Sequence, residues 1–405
     1  MGTVAERVWA EVDLAAIAHN LRYAQVRVGQ SVGVMAVVKS DAYGHGAAEV
    51  GHAAVANGAS ALGVATVAEA IELRDAGLRV PILVLGSCFR EEIVPAFDRG
   101  VSLSISPGEL FWPMVEAAEA LDRAANVHLL VDTGMSRDGV PAEEAVELAE
   151  HIEVTPRLHL EGTYTHLATA SLADKGFCRE QLTRFNHVIE ELLSRGIHPG
   201  RIHAANSSAL FTLRSAHFDM VRQGLTLYGL APSEHVEREI DVIPAMSVRS
   251  RVIAVKQIDA GESVGYGRDF VAARPTRLAT VAMGYADGLR IRPSGRGRVL
   301  INGRSVPLAG RVMMDCAVAD VTGLPGVQIG DPVTILGKSG RQRIGAEELA
   351  ERTASTVYQV VCSFGHRVGR TYVRSGKRAV LPDRAPGLHL PEPSHPDRPP
   401  IDRRL

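Results

Sequence analysis

From residue 32 to about residue 224 the hydrophobic positions alternate between two textures. Short runs of β-branched and aliphatic residues are each followed by longer stretches whose apolar residues recur every three or four positions. The short runs fall at 32–39 (VGVMAVVK), 61–66, 81–86, 101–106, 127–134, 160–166, 201–207 and 217–224. A near-continuous apolar run of this length between turn residues reads as a strand buried on both faces. The intervening stretches, such as VAEAIELRDAG (67–77) and FCREQLTRFNHVIEELLSRG (177–196), read as amphipathic helices, and the second ends on a glycine as helices often do. Strands alternating with helices predict right-handed βαβ units and a parallel sheet. Eight such units predict a closed (β/α)8 TIM-like barrel, since an open doubly wound sheet rarely needs eight.

After about residue 240 the pattern changes to short β-rich runs separated by Gly, Asn-Gly and Asp-containing turns, which predicts a second, mostly β domain. The N-terminal RVWAEVD is also strand-like and is assigned to that second domain in space. The expected organisation is therefore a barrel over 13–240, a β-rich domain from 1–12 plus 241–383, and a Pro- and charge-rich tail over 384–405 that reads as disordered.

The 405 residues suffice for two domains, and 46% hydrophobic residues, 22% charged residues and a formal net charge of −2 describe an ordinary globular protein. That balance gives no electrostatic reason to expect nucleic acid or an anionic membrane as a partner. No stretch is long and apolar enough to span a bilayer, and the N-terminus lacks the basic-then-apolar order of a signal peptide. The four cysteines (Cys88, Cys178, Cys316, Cys362) are scattered, which suggests neither a disulfide framework nor a zinc site. A cytoplasmic protein with reduced thiols is expected.

In a barrel of this kind the active site lies at the C-terminal ends of the strands. The residues that break the apolar pattern fall there. Lys39 ends the first strand, with Tyr43 and His45 in the loop behind it. Arg137 follows the fifth strand, His166 ends the sixth, Asn206 and Ser207 end the seventh, and Arg222 and Gly224 end the eighth. Each alone has a plain structural reading; their shared position at one face favours a functional one. Glycines and a serine after the last two strands match a barrel phosphate site, and no acidic cluster stands opposite to hold a metal. A strand-end lysine cannot lose water cheaply unless it is paired or neutral. Facing a phosphate site, it suggests pyridoxal 5'-phosphate held through its aldehyde. Arg222 would then partner the pyridine nitrogen. An arginine there disfavours protonation of the ring and weakens it as an electron sink, which suits removal and return of a single α-proton.

The segments AVVKSDAYGHG, VDTGMSRDGV, YTHLATA, HAANSSAL, VRQGLTLYGL, GYGRDF, VAMGYADGL, LAGRVMMDC and TVYQVVCSFGHRVGRTY together resemble the alanine racemase family over about residues 7–375. The resemblance implies a barrel plus a C-terminal β domain, pyridoxal phosphate, a homodimer with shared active sites and interconversion of L- and D-alanine. It implies that Lys39 carries the cofactor and is the base on the D-face, and that Tyr266 of the other subunit is the base on the L-face. A tyrosine is a poor base at neutral pH unless a cation or histidine stabilises its phenolate. The glycines flanking Tyr266 allow the close approach a substrate needs. His166 would tune the Tyr266 or Arg222 network. Arg137 would contact the cofactor's phenolic oxygen and orient substrate. Tyr43, Asn206, Ser207, Gly224, Leu225 and Tyr358 would hold the cofactor, chiefly its phosphate. Met314 and Asp315 of the second subunit would lie near the substrate carboxylate, with Tyr285 at the entrance.

One position departs from the family pattern. Where the family usually has a lysine modified by carbon dioxide, whose carbamate anchors the arginine, Leu130 stands two residues before Asp132. Asp132, Asp138 or a bound chloride or water are the candidates to fix Arg137. Racemisation of another small amino acid, a fold-related amino-acid decarboxylase and a non-catalytic cofactor carrier are the alternatives. The decarboxylase reading finds only the isolated Asp315 and Cys316 in its favour.

Overall fold

The computed structural model describes residues 6–238, 240–291, 297–374 and 377–378, so the tail expected at 384–405 lies outside the described residues. All eight expected barrel strands form. In spatial order they are Met220–Gln223, Gly33–Val37, Ala61–Val64, Ile82–Val84, Ser102–Ile105, Ala125–Asp132, Leu158–Tyr164 and Arg201–His203, each parallel to the next. The remaining seam, between Arg201–His203 and Met220–Gln223, is bridged by Asp219 N–H to Ile202 O (3.0 Å) and Arg222 N–H to Ala205 O (2.9 Å). The barrel is thus nearly closed.

Side chains that compete for the backbone set where elements begin and end. Asp13 caps the first helix, Leu14–Val28, by accepting from Ala15 N–H (2.8 Å) and Ala16 N–H (3.3 Å). The seventh barrel strand stops at His203, four residues short of the expected end. Asn206 there accepts from Ser208 and Ala209 N–H, both at 3.1 Å, and starts the helix Ser207–Thr212. The fifth strand ends at Asp132 for a similar reason: Asp132 accepts from the backbone of Gly134, Met135 and Ser136. A two-residue strand, Val140–Pro141, pairs parallel with Val131–Asp132 and has no counterpart in the sequence reading.

The N-terminal strand Val8–Asp13 leaves the barrel. It pairs antiparallel with the long strand Met246–Ile258 and parallel with Gly369–Arg374, within a ten-stranded sheet of the second domain. The aliphatic interiors separate accordingly, one around the barrel and one around this sheet, and Tyr43 packs against both.

Tyr43 reaches that junction through an uncommon backbone. Ser40, Asp41, Ala42 and Tyr43 all have φ between 52° and 54°, a full left-handed turn of residues that carry a Cβ. Such a turn costs about 1–2 kcal/mol per residue. Its groups are correspondingly well bonded. Ser40 N–H donates to Glu69 Oε1 (2.6 Å), and Asp41 Oδ1 accepts from Ala47 N–H (2.8 Å). The buried His45 ring bonds the carbonyls of Ala42 (3.1 Å) and Tyr43 (3.0 Å). Gly44 O accepts from Arg370 of the second domain, and a Cβ on Gly44 would lie 2.4 Å from Val361 O. The turn brings Lys39 and Tyr43 to the same cavity and locks it to the second domain.

Candidate active site

Segments leaving the carboxyl ends of the barrel strands, with Tyr358 from the second domain, enclose a cavity of about 290 Å³. Its wall brings together Lys39, Tyr43, Arg137, His166, Asn206, Ser207, Arg222, Gly224, Leu225 and Tyr358. Three of these are cations, and no carboxylate lines the cavity. The Lys39 amine is held below its ordinary range, first by burial and then by Arg137. This favours the neutral form a nucleophile or base requires.

On one side Tyr43, Ser207 and Gly224 form a small cradle. Ser207 Oγ accepts from Gly224 N–H at 2.8 Å, and a Cβ on residue 224 would lie 2.9 Å from Tyr43 Oη and 3.6 Å from Ser207 Oγ. The Tyr43 ring lies 4.9 Å from Tyr228 and 6.1 Å from Tyr358, and burial raises its hydroxyl pKa, so that it stays a donor.

At the barrel floor Arg222 is buried and almost fully committed. One terminal nitrogen donates to His203 Nδ1 (2.8 Å) and His203 O (3.2 Å). The other shares its two hydrogens among Thr165 O (2.8 Å), Ala204 O (3.0 Å) and His166 Nδ1 (3.3 Å). The Nε–H has no acceptor among the described residues and is the donor left for a ligand. Burial pulls the guanidinium down to about 10, opposed by Tyr164 and aided by Arg137, so it stays charged at neutral pH. An arginine only donates, and this fixes its neighbours. His166 accepts through Nδ1 and carries its hydrogen on Nε2. Burial, with Arg222, Arg137 and Lys39 around it, holds His166 down to about 3, so the ring is neutral.

The same logic runs deeper. His203 accepts from Arg222 at Nδ1, so its Nε2–H donates to His128 Nδ1 (3.1 Å). His128 Nε2–H then donates to Glu161 Oε2 (3.3 Å), which also accepts from Ser102 Oγ (2.5 Å). Burial alone would raise Glu161, but the hydrogen bond from His128, with Ser102 and Arg201, holds it at about 2. A directed relay thus runs from a half-buried carboxylate to the arginine at the cavity floor. Sequence reasoning passed over His203, His128 and Glu161. The signal was present: polar residues inside the apolar runs 127–134, 160–166 and 201–207.

Arg137 sits on a loop held at several points. Asp132 organises the turn before it, where Ser136 has φ 53°. Gly139 N–H donates to Ser106 Oγ (2.5 Å) just after it. Of the two carboxylates weighed in the sequence, Asp138 is the one that holds the side chain, accepting from Arg137 Nε at 3.1 Å, while Asp132 is spent on backbone. Leu130 is buried at 3% exposure and offers no polar atom.

Tyr266, Tyr285, Met314 and Asp315 do not line the cavity of their own chain. Tyr266 is 74% exposed on a turn between Gly265 (φ 69°) and Gly267 (φ 75°). Arg311 ties that turn to the segment carrying Met314 and Asp315 through Asp269 (2.5 and 3.1 Å). Tyr285 N–H donates to Met313 O (3.0 Å) and Ala286 N–H to Met314 O (3.0 Å). The four residues are therefore braced together on the second domain.

Sequence models of the family match both parts: "Alanine racemase, N-terminal domain" over residues 12–232 and "Alanine racemase, C-terminal domain" over residues 245–372. The chain belongs to the alanine racemase family. It is similar to the alanine racemase of Nostoc sp., 41% identical over 372 residues that cover 91% of this chain and 96% of that protein. The alanine racemase of Desulfosudis oleivorans is 41% identical over 382 residues, 92% and 98% of the two chains. Among solved structures, an alanine racemase of Clostridium difficile 630 superposes with TM-score 0.89 at 30% identity, covering 93% of this chain and 98% of that one. The Bacillus anthracis enzyme with bound L-Ala-P gives TM-score 0.86 at 33% identity, covering 93% and 97%. With these relatives the protein is an alanine racemase-like isomerase. Among the described residues no helix is long and apolar enough to cross a membrane, and no group of three or more His, Cys, Asp or Glu could hold a metal ion.

Proposed function

We propose that this protein interconverts L- and D-alanine with pyridoxal 5'-phosphate, using Lys39 and the partner subunit's Tyr266 as opposed bases. The observation that carries the reading is a carboxylate-free cavity in which a depressed lysine, two arginines and a hydroxyl-lined cradle converge. The residues fit the cofactor. The Tyr43–Ser207–Gly224 cradle has space for a phosphate because residue 224 has no Cβ, and the uncommitted Nε–H of Arg222 suits the lone pair of an unprotonated ring nitrogen. When bound, the cofactor withdraws electrons from the substrate's Cα and so acidifies its hydrogen.

The chain's own groups do the rest. Lys39 Nζ, its proton affinity lowered by burial and Arg137, takes or returns the α-proton on one face. Tyr266 Oη supplies or takes the proton on the other, so each turnover removes one proton and returns one, with inverted geometry. Arg137, held by Asp138, attracts anionic oxygens and helps orient the substrate. His166, neutral and bonded through Nδ1 to Arg222, offers its Nε2–H as a fixed donor beside the bases. Asn206, Leu225 and Tyr358 complete the wall around the cofactor. The exposure of Tyr266, Met314 (54%) and Tyr285 (47%), away from their own chain's cavity, supports a homodimer in which these residues, with Asp315, complete the partner's site.

The test is incubation with individual L-amino acids in deuterium oxide. Racemisation yields both enantiomers of alanine carrying α-deuterium. Release of carbon dioxide and an amine would instead establish a decarboxylase, and no exchange with any amino acid would establish a carrier.

A further inference from the structure

A second cavity, about 570 Å³, lies where the end of the first helix meets the helix Ser207–Thr212. Arg27, Lys175, Arg214, His217 and His235 line it, and no carboxylate does. Among the described residues, the buried Lys175 and the exposed Arg27 and Arg214 form no ion pair, whereas the half-buried Arg249, Arg298 and Arg370 each have one. Lys175 is itself buried at 8% exposure. Its ammonium donates to Ala170 O and Leu172 O, both at 2.6 Å, which satisfies two of three protons and neutralises none of its charge. Arg27 spends one bond on Phe211 O (2.9 Å). His217 donates Nε2–H to Leu210 O (2.8 Å), and its ring feels both Arg27 and Arg214. Like charges gathered around one cavity repel, and a buried cation without a counter-ion is costly. A bound anion would relieve both costs, and the volume is that of a small-metabolite site.

We propose that this cavity binds a small anion of two or more charges, a phosphorylated or polycarboxylate metabolite, and that occupancy is transmitted to the catalytic cavity. The transmission follows from shared walls. The segment that places Ala168, Ala170 and Ser171 in the catalytic cavity continues into Ala173 and Lys175 here. The helix that begins with Ser207 in the cofactor cradle ends with Leu210–Thr212 here. Pro232 lines the first cavity and His235 the second, and Ser233 Oγ is bonded to Ser171 O at 2.7 Å. An anion drawing on Lys175 competes with the two carbonyls that tie the catalytic wall in place.

The test uses calorimetric titration of the holoenzyme with pyrophosphate and, separately, with citrate, at constant ionic strength set with potassium chloride. At least one probe should bind at one equivalent per chain. Binding of pyrophosphate alone would identify a phosphate site, and binding of both a site selective for charge. The double variant Arg27→Gln/Arg214→Gln alters two exposed side chains outside the catalytic cavity. It should keep basal turnover and weaken the probe at least tenfold. Saturating probe should shift KM for alanine in the wild type and leave the variant unmoved. Failure of both probes to bind, or equal affinity in the double variant, overturns the site; binding without any change in KM or kcat overturns the transmission.

Discussion

Replacing Glu161 with glutamine isolates the charge at the far end of the arginine relay. Glutamine keeps the shape and keeps an oxygen for His128 Nε2–H, so the hydrogen-bond order survives and only the negative charge is lost. The folded protein holds Glu161 at about 2 against an ordinary 4.5, and its side chain is 19% exposed. At roughly 1.4 kcal/mol for each tenfold change in proton affinity, this corresponds to about 3 kcal/mol of stability at neutral pH. The sign is that of a depressed carboxyl: the contribution is present above pH ~4.5 and fades as pH falls through ~2. The difference in unfolding free energy between wild type and Glu161→Gln should thus be about 3 kcal/mol at pH 7 and about half that at pH 3. Urea denaturation of both holoproteins at pH 7, 5, 4 and 3 measures it. A difference that is absent at pH 7, or does not shrink with acid, refutes the charge argument. Glu161→Ala should cost more at every pH, because it also leaves His128 Nε2–H without its acceptor.

Borohydride reduction of the holoenzyme followed by peptide mapping should place the pyridoxyl label on Lys39; a label elsewhere displaces it from the mechanism. Mixing inactive Lys39→Ala with inactive Tyr266→Phe should restore up to about a quarter of wild-type activity, since heterodimers form about half of a random mixture and hold one whole site of two. No recovery after demonstrated subunit exchange would put both bases in one chain's site. Activity should not change on depleting carbon dioxide or adding bicarbonate, because Asp138 already holds Arg137 and Leu130 has no amine to carboxylate; a reversible dependence would place a carbamate on some other lysine.

The fold was legible because barrel strands buried on both faces must be apolar nearly throughout, and this pattern survives in a single sequence. Strand ends were not, because Asn206 and Asp132 each bond the backbone and end a run that hydrophobicity alone would extend. The cavity-lining residues were legible where a polar side chain ended an apolar run, as with Lys39, His166 and Arg222. His128, Glu161 and His203 escaped notice because they lie within the runs. There each polar residue is visible but isolated, and its partners are identified only when the closed barrel brings three strands' worth of them into one line. The left-handed turn of Ser40–Tyr43 was equally hidden. Only two of its flanking residues are glycine, and its conformation is imposed by Glu69, Ala47 and Arg370, which lie 29, 6 and more than 300 positions away in sequence.

The position of Leu130 gains its meaning from where the carboxylates have gone. The catalytic cavity exposes Lys39, Arg137 and Arg222 to an incoming anion and shows it no negative charge. Yet each cation is steadied from behind. Glu69 and Asp138 raise the pKa of Lys39 against the larger effect of burial, Asp138 bonds Arg137 directly, and Glu161 stands at the end of the relay behind Arg222. An acid placed among the cations would compete with the phosphate of the proposed cofactor and the carboxylate of the proposed substrate; placed behind them, it orients without competing. Asp138 is 18% exposed and has one oxygen close to where a Cβ on Gly86 would stand, at 3.0 Å, so any larger residue at 86 would crowd it. The arginine's anchor therefore comes from its own loop, and residue 130 on the barrel strand is free to be an aliphatic core residue.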